Sequence, residues 1–160
     1  MSIWAALAGG FAGTLVLTTV LRGGSELRLT RMDLPFLLGT VVTVDRRRAK
    51  LIGYLAHFGF GLLFALAYFA LFKATGRAGW ALGAIFGLVH GVFSITALVN
   101  VLLPALHPRM GTPFTAADSS PLIEPPGFVM RNYGRSTALV SLAAHILYGT
   151  IVGGFIGFTL

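Results

Sequence analysis

Long runs without a charged residue occupy most of this chain of 160 residues, and they are the feature that most restricts its fold. A helix needs about 20 predominantly apolar residues to cross the hydrocarbon core of a bilayer, and four runs are long enough. The apolar residues are continuous rather than alternating, which favours helices over the strands of a barrel. We therefore predict an all-α integral membrane protein, a single transmembrane domain built as a four-helix bundle. The predicted spans are about 3–21, 51–72, 80–106 and 136–159.

The composition agrees with a membrane location. Only 11% of the residues are charged and 56% are hydrophobic, whereas a soluble domain is about one quarter charged. This scarcity of charge excludes a soluble enzyme, a disordered tail and a secreted disulfide scaffold. The chain has no cysteine, so it has no thiol nucleophile, thiolate ligand or disulfide.

A fifth uncharged segment, residues 34–44, is too short to span a bilayer. Pro35 and Gly39 are expected to weaken any helix there. We predict that this segment lies at the membrane interface or re-enters the membrane after the first helix.

The distribution of basic residues predicts the orientation. Seven of the twelve lysines and arginines lie in the first connection, two in the second and three in the third. By the positive-inside rule the first and third connections are cytoplasmic, so both termini face outward. The cluster Arg46, Arg47, Arg48 and Lys50 is predicted to contact anionic lipid headgroups rather than nucleic acid.

The chain contains a weak internal repeat. Residues 9–18 can be aligned with 87–96, and residues 56–61 with 144–149, which share the pattern Ala-His-x-x-x-Gly. Each half would then be a hairpin of two helices, and the two halves would be parallel copies related by an axis along the membrane normal.

Glycines recur about every four residues in several spans, which is typical of helices whose backbones approach closely in lipid. One reading is tight packing inside the bundle, and another is that a glycine face meets a second subunit or a larger membrane complex. The predicted helix-packing residues are Gly79, Gly83, Gly87, Gly91, Gly149, Gly153 and Gly157.

Three histidines are the strongly titratable residues inside the spans. His57 and His145 each lie on a stripe of small residues, so we expect both to point into the bundle at similar depth. They are candidate axial ligands of a haem b, with neighbouring glycines leaving room for the macrocycle. His90 is a candidate metal ligand near the middle of the membrane. The alternative is that each imidazole is neutral and hydrogen-bonded across a helix interface.

The third connection, about 107–135, is long enough to be functional. His107, Asp118 and Glu124 are its candidate cation-binding or acid–base residues, although their spacing fits no metal motif. No Walker loop, GxSxG or HExxH motif is present, so no catalytic residue is assigned.

Several connecting segments are distinctive: DLPFLLGT at 33–40, DRRRAK at 45–50, HPRM at 107–110, PPGF at 125–128 and NYG at 132–134. In order and spacing they resemble a family of small, four-span bacterial membrane proteins with no assigned activity. The resemblance covers most of the chain and implies a polytopic inner-membrane protein. It transfers no catalytic or binding residue.

Three functional hypotheses follow from the sequence. The first is a non-catalytic accessory subunit that associates with itself or with a larger membrane complex. The second is a haem- or metal-binding redox protein that uses His57 and His145, and the third is a small transporter or channel.

Overall fold

The computed structural model describes residues 1–111 and 123–159. Four helices are long and apolar enough to cross a membrane, as predicted. In chain order the helices are α1 (Ile3–Glu26), α2 (Leu34–Thr40), α3 (Arg46–Thr75), α4 (Trp80–Phe93), a π-helical segment (Ser94–Leu102), α5 (Leu103–Leu106), a 3₁₀ segment (Phe128–Tyr133) and α6 (Thr137–Gly157). An isolated parallel bridge joins Met110 to Ile123.

Helix α3 extends beyond its apolar run at both ends because its termini are well capped. The Asp45 side chain accepts a hydrogen bond from the backbone N–H of Arg48 at 2.8 Å, the usual way to satisfy a free donor in the first turn. Gly76, with φ of +67°, ends the helix in the left-handed conformation that favours glycine.

The short segment after the first span forms a true helix, although Pro35 and Gly39 were expected to weaken one. Pro35 lies in the first turn, where a missing N–H costs little. Gly39 is used for close packing, since a Cβ there would lie 1.7 Å from the carbonyl oxygen of Ala49. Gly53 does the same on α3, where a Cβ would lie 1.6 Å from the carbonyl oxygen of Pro35. Seven residues are too few to span a bilayer, so α2 packs along the first turns of α3 instead.

Helix α1 packs against both α3 and α6, and α6 also packs against α4. Contact between α3 and α4 is made by aromatic side chains, with the rings of Phe72 and Phe86 stacked 5.1 Å apart. The bundle therefore runs α3–α1–α6–α4 and closes through aromatic residues.

The third span is irregular over its second half. Wider π-helical turns cover Ser94–Leu102, and Pro104 follows in α5. Proline has no N–H to donate and its ring clashes with the preceding turn, which disturbs the regular hydrogen-bond ladder.

Candidate functional site

The structure brings His90 and His145 together in the middle of the bundle. Their ring centroids are 4.8 Å apart, with the rings nearly perpendicular. The hydroxyl of Tyr68 is 3.3 Å from Nδ1 of His90, and the ring of Phe64 lies against the same imidazole with centroids 4.0 Å apart. Helices α3, α4 and α6 thus each contribute to one polar cluster.

Glycines on α4 make this cluster possible. A Cβ at Gly87 would lie 2.4 Å from the carbonyl oxygen of His145, and a Cβ at Gly91 would lie 3.1 Å from its Cβ. The backbone of α6 therefore lies directly on α4, which places His145 beside His90.

The proton of His145 can be assigned from its partner. Nδ1 is 2.7 Å from the carbonyl oxygen of Ser141, one helical turn earlier, and a carbonyl can only accept. Nδ1 therefore carries the proton in the neutral ring, and Nε2 keeps a free electron pair.

His57 is buried, as predicted, and is bonded within the bundle. Its Nε2 is 3.0 Å from Oγ1 of Thr18 on α1. Thr18 donates its own proton to the carbonyl oxygen of Thr14 at 2.7 Å, so it accepts from His57. The ring of His145 contacts that of His90. The ring of His57 is hydrogen-bonded to Thr18.

A cavity of about 210 Å³ lies next to His57, between the end of α1, the start of α2 and the first turns of α3. Thr18 and His57 lie at the end deepest in the spans, and charged residues line it nearer the helix ends. The lining residues are Thr18, Leu21, Arg22, Ser25, Glu26, Met32, Asp33, Leu34, Pro35, Lys50, Tyr54 and His57.

The residues around His57 and His145 do not fit haem. The room that glycines were expected to leave is filled by neighbouring helices. A Cβ at Gly61 would meet Oγ1 of Thr14 at 1.9 Å, and one at Gly149 would meet the carbonyl oxygen of Gly83 at 2.3 Å. The cavity beside His57 is also below the roughly 300–1,000 Å³ typical of cofactor and ligand pockets. Over residues 1–111 and 123–159 no group of three or more His, Asp or Glu side chains is placed to hold a metal ion.

The predicted glycine stripes meet each other across α4 and α6 of one chain. A Cβ at Gly83 would lie 2.2 Å from the carbonyl oxygen of Gly149, and one at Gly153 would lie 2.4 Å from that of Gly79. Gly157 likewise faces Gly79, with 3.1 Å between its would-be Cβ and the Cα of Gly79.

Gly59 behaves differently from these glycines. It lies in the middle of α3 and is exposed, and among residues 1–111 and 123–159 a Cβ there would meet no atom within 4 Å apart from the adjacent backbone of α3. Gly23, near the charged end of α1, is the other glycine of the long helices with this property.

The basic cluster lies at the start of α3. Arg46, Arg47 and Arg48 are exposed, and the Arg46 guanidinium lies 5.9 Å from the ring centroid of Phe36 on α2. Lys50 is partly buried and its Nζ is 3.4 Å from a carboxylate oxygen of Asp33. Three of the four cations therefore face outward from α3.

His107, a candidate in the third connection, is a structural residue that holds α2. Its Nδ1 accepts a hydrogen bond from the backbone N–H of Arg109 at 3.1 Å, so Nε2 carries the proton. Nε2 is 3.2 Å from Oγ1 of Thr40 and 3.3 Å from the carbonyl oxygen of Leu37. Burial lowers the pKa of His107, and the nearby charge of Arg109 lowers it further, although its bond to Leu37 opposes this.

The structure describes one other loop candidate, Glu124. Glu124 lies near Arg31, with 3.6 Å between a carboxylate oxygen and Nη2. Its carbonyl oxygen accepts from the hydroxyl of Tyr133 at 2.6 Å. Burial raises the pKa of Tyr133 to about 12. Asp118 lies outside the described residues.

Sequence reasoning missed Tyr68 and Thr18 as partners of the histidines. Tyr68 is eleven residues after His57, which is three helical turns and therefore the same face of α3. That spacing was available in the sequence. The pairing of Thr18 with His57 depends on how α1 crosses α3, which the sequence does not specify.

No protein-family model, curated protein or solved structure matches this chain, so its function has to be inferred from its residues and their geometry.

Proposed function

We propose that this chain is a non-catalytic accessory subunit of a membrane complex, and that it docks onto a helix of another chain through the exposed face of α3 around Gly59. The observation that carries the proposal is the contrast between Gly59 and the other glycines in the middle of the spans. Those glycines contact neighbouring helices of the same chain, whereas a Cβ at Gly59 would have no atom of another described element within 4 Å.

A glycine inside a helix is destabilising unless it allows a close contact, and no such contact to Gly59 is seen among the described residues. Glycine in a helix interior costs about 0.5–1 kcal/mol relative to alanine. In lipid, small residues allow two helix backbones to approach closely, and van der Waals packing then drives their association. Ala67 and Ala70 are also exposed further along α3, with the larger Leu63 exposed between them and Gly59.

The test is to replace Gly59 with leucine and to measure mass in a mild detergent. The wild-type chain should purify with a partner, in a species larger than 16.9 kDa. Gly59→Leu should weaken that association at least about tenfold, equivalent to about 1.4 kcal/mol, and should not lower the thermal stability of the isolated chain, because leucine is a better helix former than glycine.

Gly61→Leu is the matched control. Gly61 is two residues from Gly59 on the same helix, but Thr14 of α1 occupies the space that a side chain at position 61 would need. It should lower the stability of the isolated chain by more than 1 kcal/mol, as is typical of overpacking. A wild-type chain that purifies alone as a monomer would contradict the proposal. A larger species that contains only this chain would assign the docking partner to a second copy.

We also propose that the chain lies in a bacterial inner membrane, with both termini on the outer face and the first and third connections in the cytoplasm. Ten of the twelve basic residues lie in those two connections, which supports this orientation. The exposed Arg46, Arg47 and Arg48 are then available to anionic lipid headgroups on the cytoplasmic side.

We also propose that the bundle derives from two repeated hairpins, α1 with α3 and α4 with α6. Gly61 of the first Ala-His-x-x-x-Gly pattern packs on Thr14 of α1, and Gly149 of the second packs on Gly83 of α4. Each glycine thus contacts the first helix of its own hairpin, which supports the repeat. The π-helical segment and α2 would be later additions to one half each.

A second candidate function, a metal-binding redox protein, is favoured by the contact between His90 and His145. The free electron pair on Nε2 of His145 and the adjacent imidazole offer two nitrogen ligands of the kind that copper accepts. Metal analysis and an oxidised-minus-reduced spectrum of the purified protein test it, with His90→Ala as the variant. The absence of a stoichiometric metal, after expression with copper supplied, would reject this candidate.

A further inference from the structure

The cavity beside His57 carries equal numbers of both charges. Arg22 and Lys50 supply two cations, and Glu26 and Asp33 supply two carboxylates. Within the cavity wall Arg22 pairs with Glu26 at 3.1 Å, and Lys50 pairs with Asp33 at 3.4 Å.

These pairs are easily opened. The side chains of Arg22 and Glu26 are 70% and 68% exposed, and those of Lys50 and Asp33 are 45% and 44% exposed. Exposed ion pairs contribute little net free energy, so exchanging them for equivalent contacts with a ligand costs little.

Four other residues of the wall are apolar: Leu21, Met32, Leu34 and Pro35. Leu21 and Met32 are buried on this wall, and Leu34 continues it at the start of α2. On α3, Leu51 and Leu55 are 63% and 68% exposed, so the helix that forms one wall of the cavity also presents an apolar surface. The cavity thus combines a charged region at the ends of the long helices with apolar surroundings.

We propose that this cavity binds the headgroup of a zwitterionic phospholipid with a primary ammonium, of the phosphatidylethanolamine type. The phosphate would contact Arg22 and Lys50, and the ammonium would donate hydrogen bonds to Glu26 and Asp33. The acyl chains would lie against the exposed leucines of α3. A volume of about 210 Å³ suits a headgroup of this size better than a larger organic ligand.

The charge pattern argues for this lipid over two others. A glycerol headgroup brings a single negative charge that can take Arg22 and Lys50 from the carboxylates, but it offers Glu26 and Asp33 no cation in return. A choline headgroup has the correct charges, but its ammonium has no hydrogen to donate. Of the three headgroups, only phosphoethanolamine offers an anion to the two cations and an N–H donor to the two carboxylates.

The test measures lipid affinity by native mass spectrometry on the purified full chain. The probes are dioleoyl phosphatidylethanolamine, phosphatidylcholine and phosphatidylglycerol, which share acyl chains and differ in headgroup. We expect the ethanolamine lipid to bind at least about fivefold more tightly than either of the others, a difference near 1 kcal/mol. Equal affinities, or a preference for the glycerol lipid, would overturn the proposal.

The variant that tests the site combines Glu26→Gln with Asp33→Asn. Asparagine is as good a helix cap as aspartate, so α2 should keep its first turn. The double variant should lose the preference for the ethanolamine lipid, whereas Glu124→Gln, which removes a carboxylate beside Arg31 outside the cavity, should keep it. A preference retained in the double variant would place lipid recognition elsewhere and overturn the proposal.

A second variant tests the cavity while leaving its four charged residues in place. Ser25→Leu fills the cavity without changing a charge and should also abolish the preference. Competition by soluble glycerophosphoethanolamine distinguishes a site for a lipid from a site for a free phosphoethanolamine compound. It should compete poorly with the lipid, and competition at equal concentration would overturn the assignment to a lipid.

Discussion

At the scale of single residues, the charge state of His107 is tied to the packing of α2. The neutral ring accepts from the backbone of Arg109 and donates toward Thr40 and Leu37. A second proton on Nδ1 would remove the first bond and add a positive charge next to the Arg109 guanidinium. The folded chain therefore favours the neutral form, which lowers the pKa of His107.

The sign of the pH dependence follows from that shift. Below the ordinary pKa of 6.5 the unfolded chain binds a proton at His107, whereas the folded chain does not until the pH falls further. The contribution of His107 to stability is thus fully present above pH 6.5 and declines as the pH falls toward the lowered pKa.

Thermal unfolding in detergent between pH 8 and pH 4.5 measures this contribution. His107→Gln cannot titrate, so its stability should change less with pH than that of the wild type in the window below 6.5. Parallel curves for the two proteins would contradict the role of His107.

At the scale of elements, α2 depends on the third connection for its position. The Arg109 guanidinium donates to the backbone carbonyl oxygens of Thr40 and Val41 at the end of α2, the second at 3.1 Å. Hydrogen bonds to charged groups contribute about 1.5–3 kcal/mol each. A contact between distant parts of the chain therefore holds a helix of only seven residues.

Arg109→Gln should release α2 while the bundle remains folded. Amide hydrogen exchange over residues 34–44 should be about 10- to 100-fold faster than in the wild type, as expected for the loss of about 1.4–2.8 kcal/mol of local stability. Arg47→Gln, an exposed arginine at the start of α3, is the control and should leave exchange in this segment unchanged. Equal exchange in Arg109→Gln and the wild type would show that the guanidinium does not hold α2.

The long helices could be predicted from the sequence more reliably than the helices against which each one packs. Uncharged runs identified the four long helices because the bilayer sets a minimum apolar length. Glycine spacing identified Gly83 and Gly149 as packing residues, but spacing alone could not distinguish contact within the chain from contact with another chain. The expectation that Pro35 would weaken a helix failed because its effect depends on whether it lies in the first turn.

The candidate site was predictable only in part. Burial of His57 and His145 followed from the small residues that share their helix faces. The approach of His145 to His90 depends on α6 lying between α1 and α4, which is a property of the whole bundle. The cavity beside His57 also needs α2 as a wall, and its helical structure was not expected.

At the scale of the whole molecule, the proposed orientation can be tested with single cysteines because the natural chain has none. Val44→Cys lies before α3 and Ala74→Cys lies near its end, and both positions are exposed. In intact cells a membrane-impermeant maleimide should label Ala74→Cys and should leave Val44→Cys unlabelled until the membrane is opened. The reverse pattern would invert the assigned topology.

The position of α6 between α1 and α4 has a consequence for biogenesis. During synthesis α1, α3 and α4 enter the membrane before α6 exists, and the glycine face of α4 has no partner until α6 arrives. The contacts that Gly83 and Gly87 make with α6 can therefore form only after the last long helix has been synthesised. Completion of the bundle thus depends on the C-terminal part of the described chain.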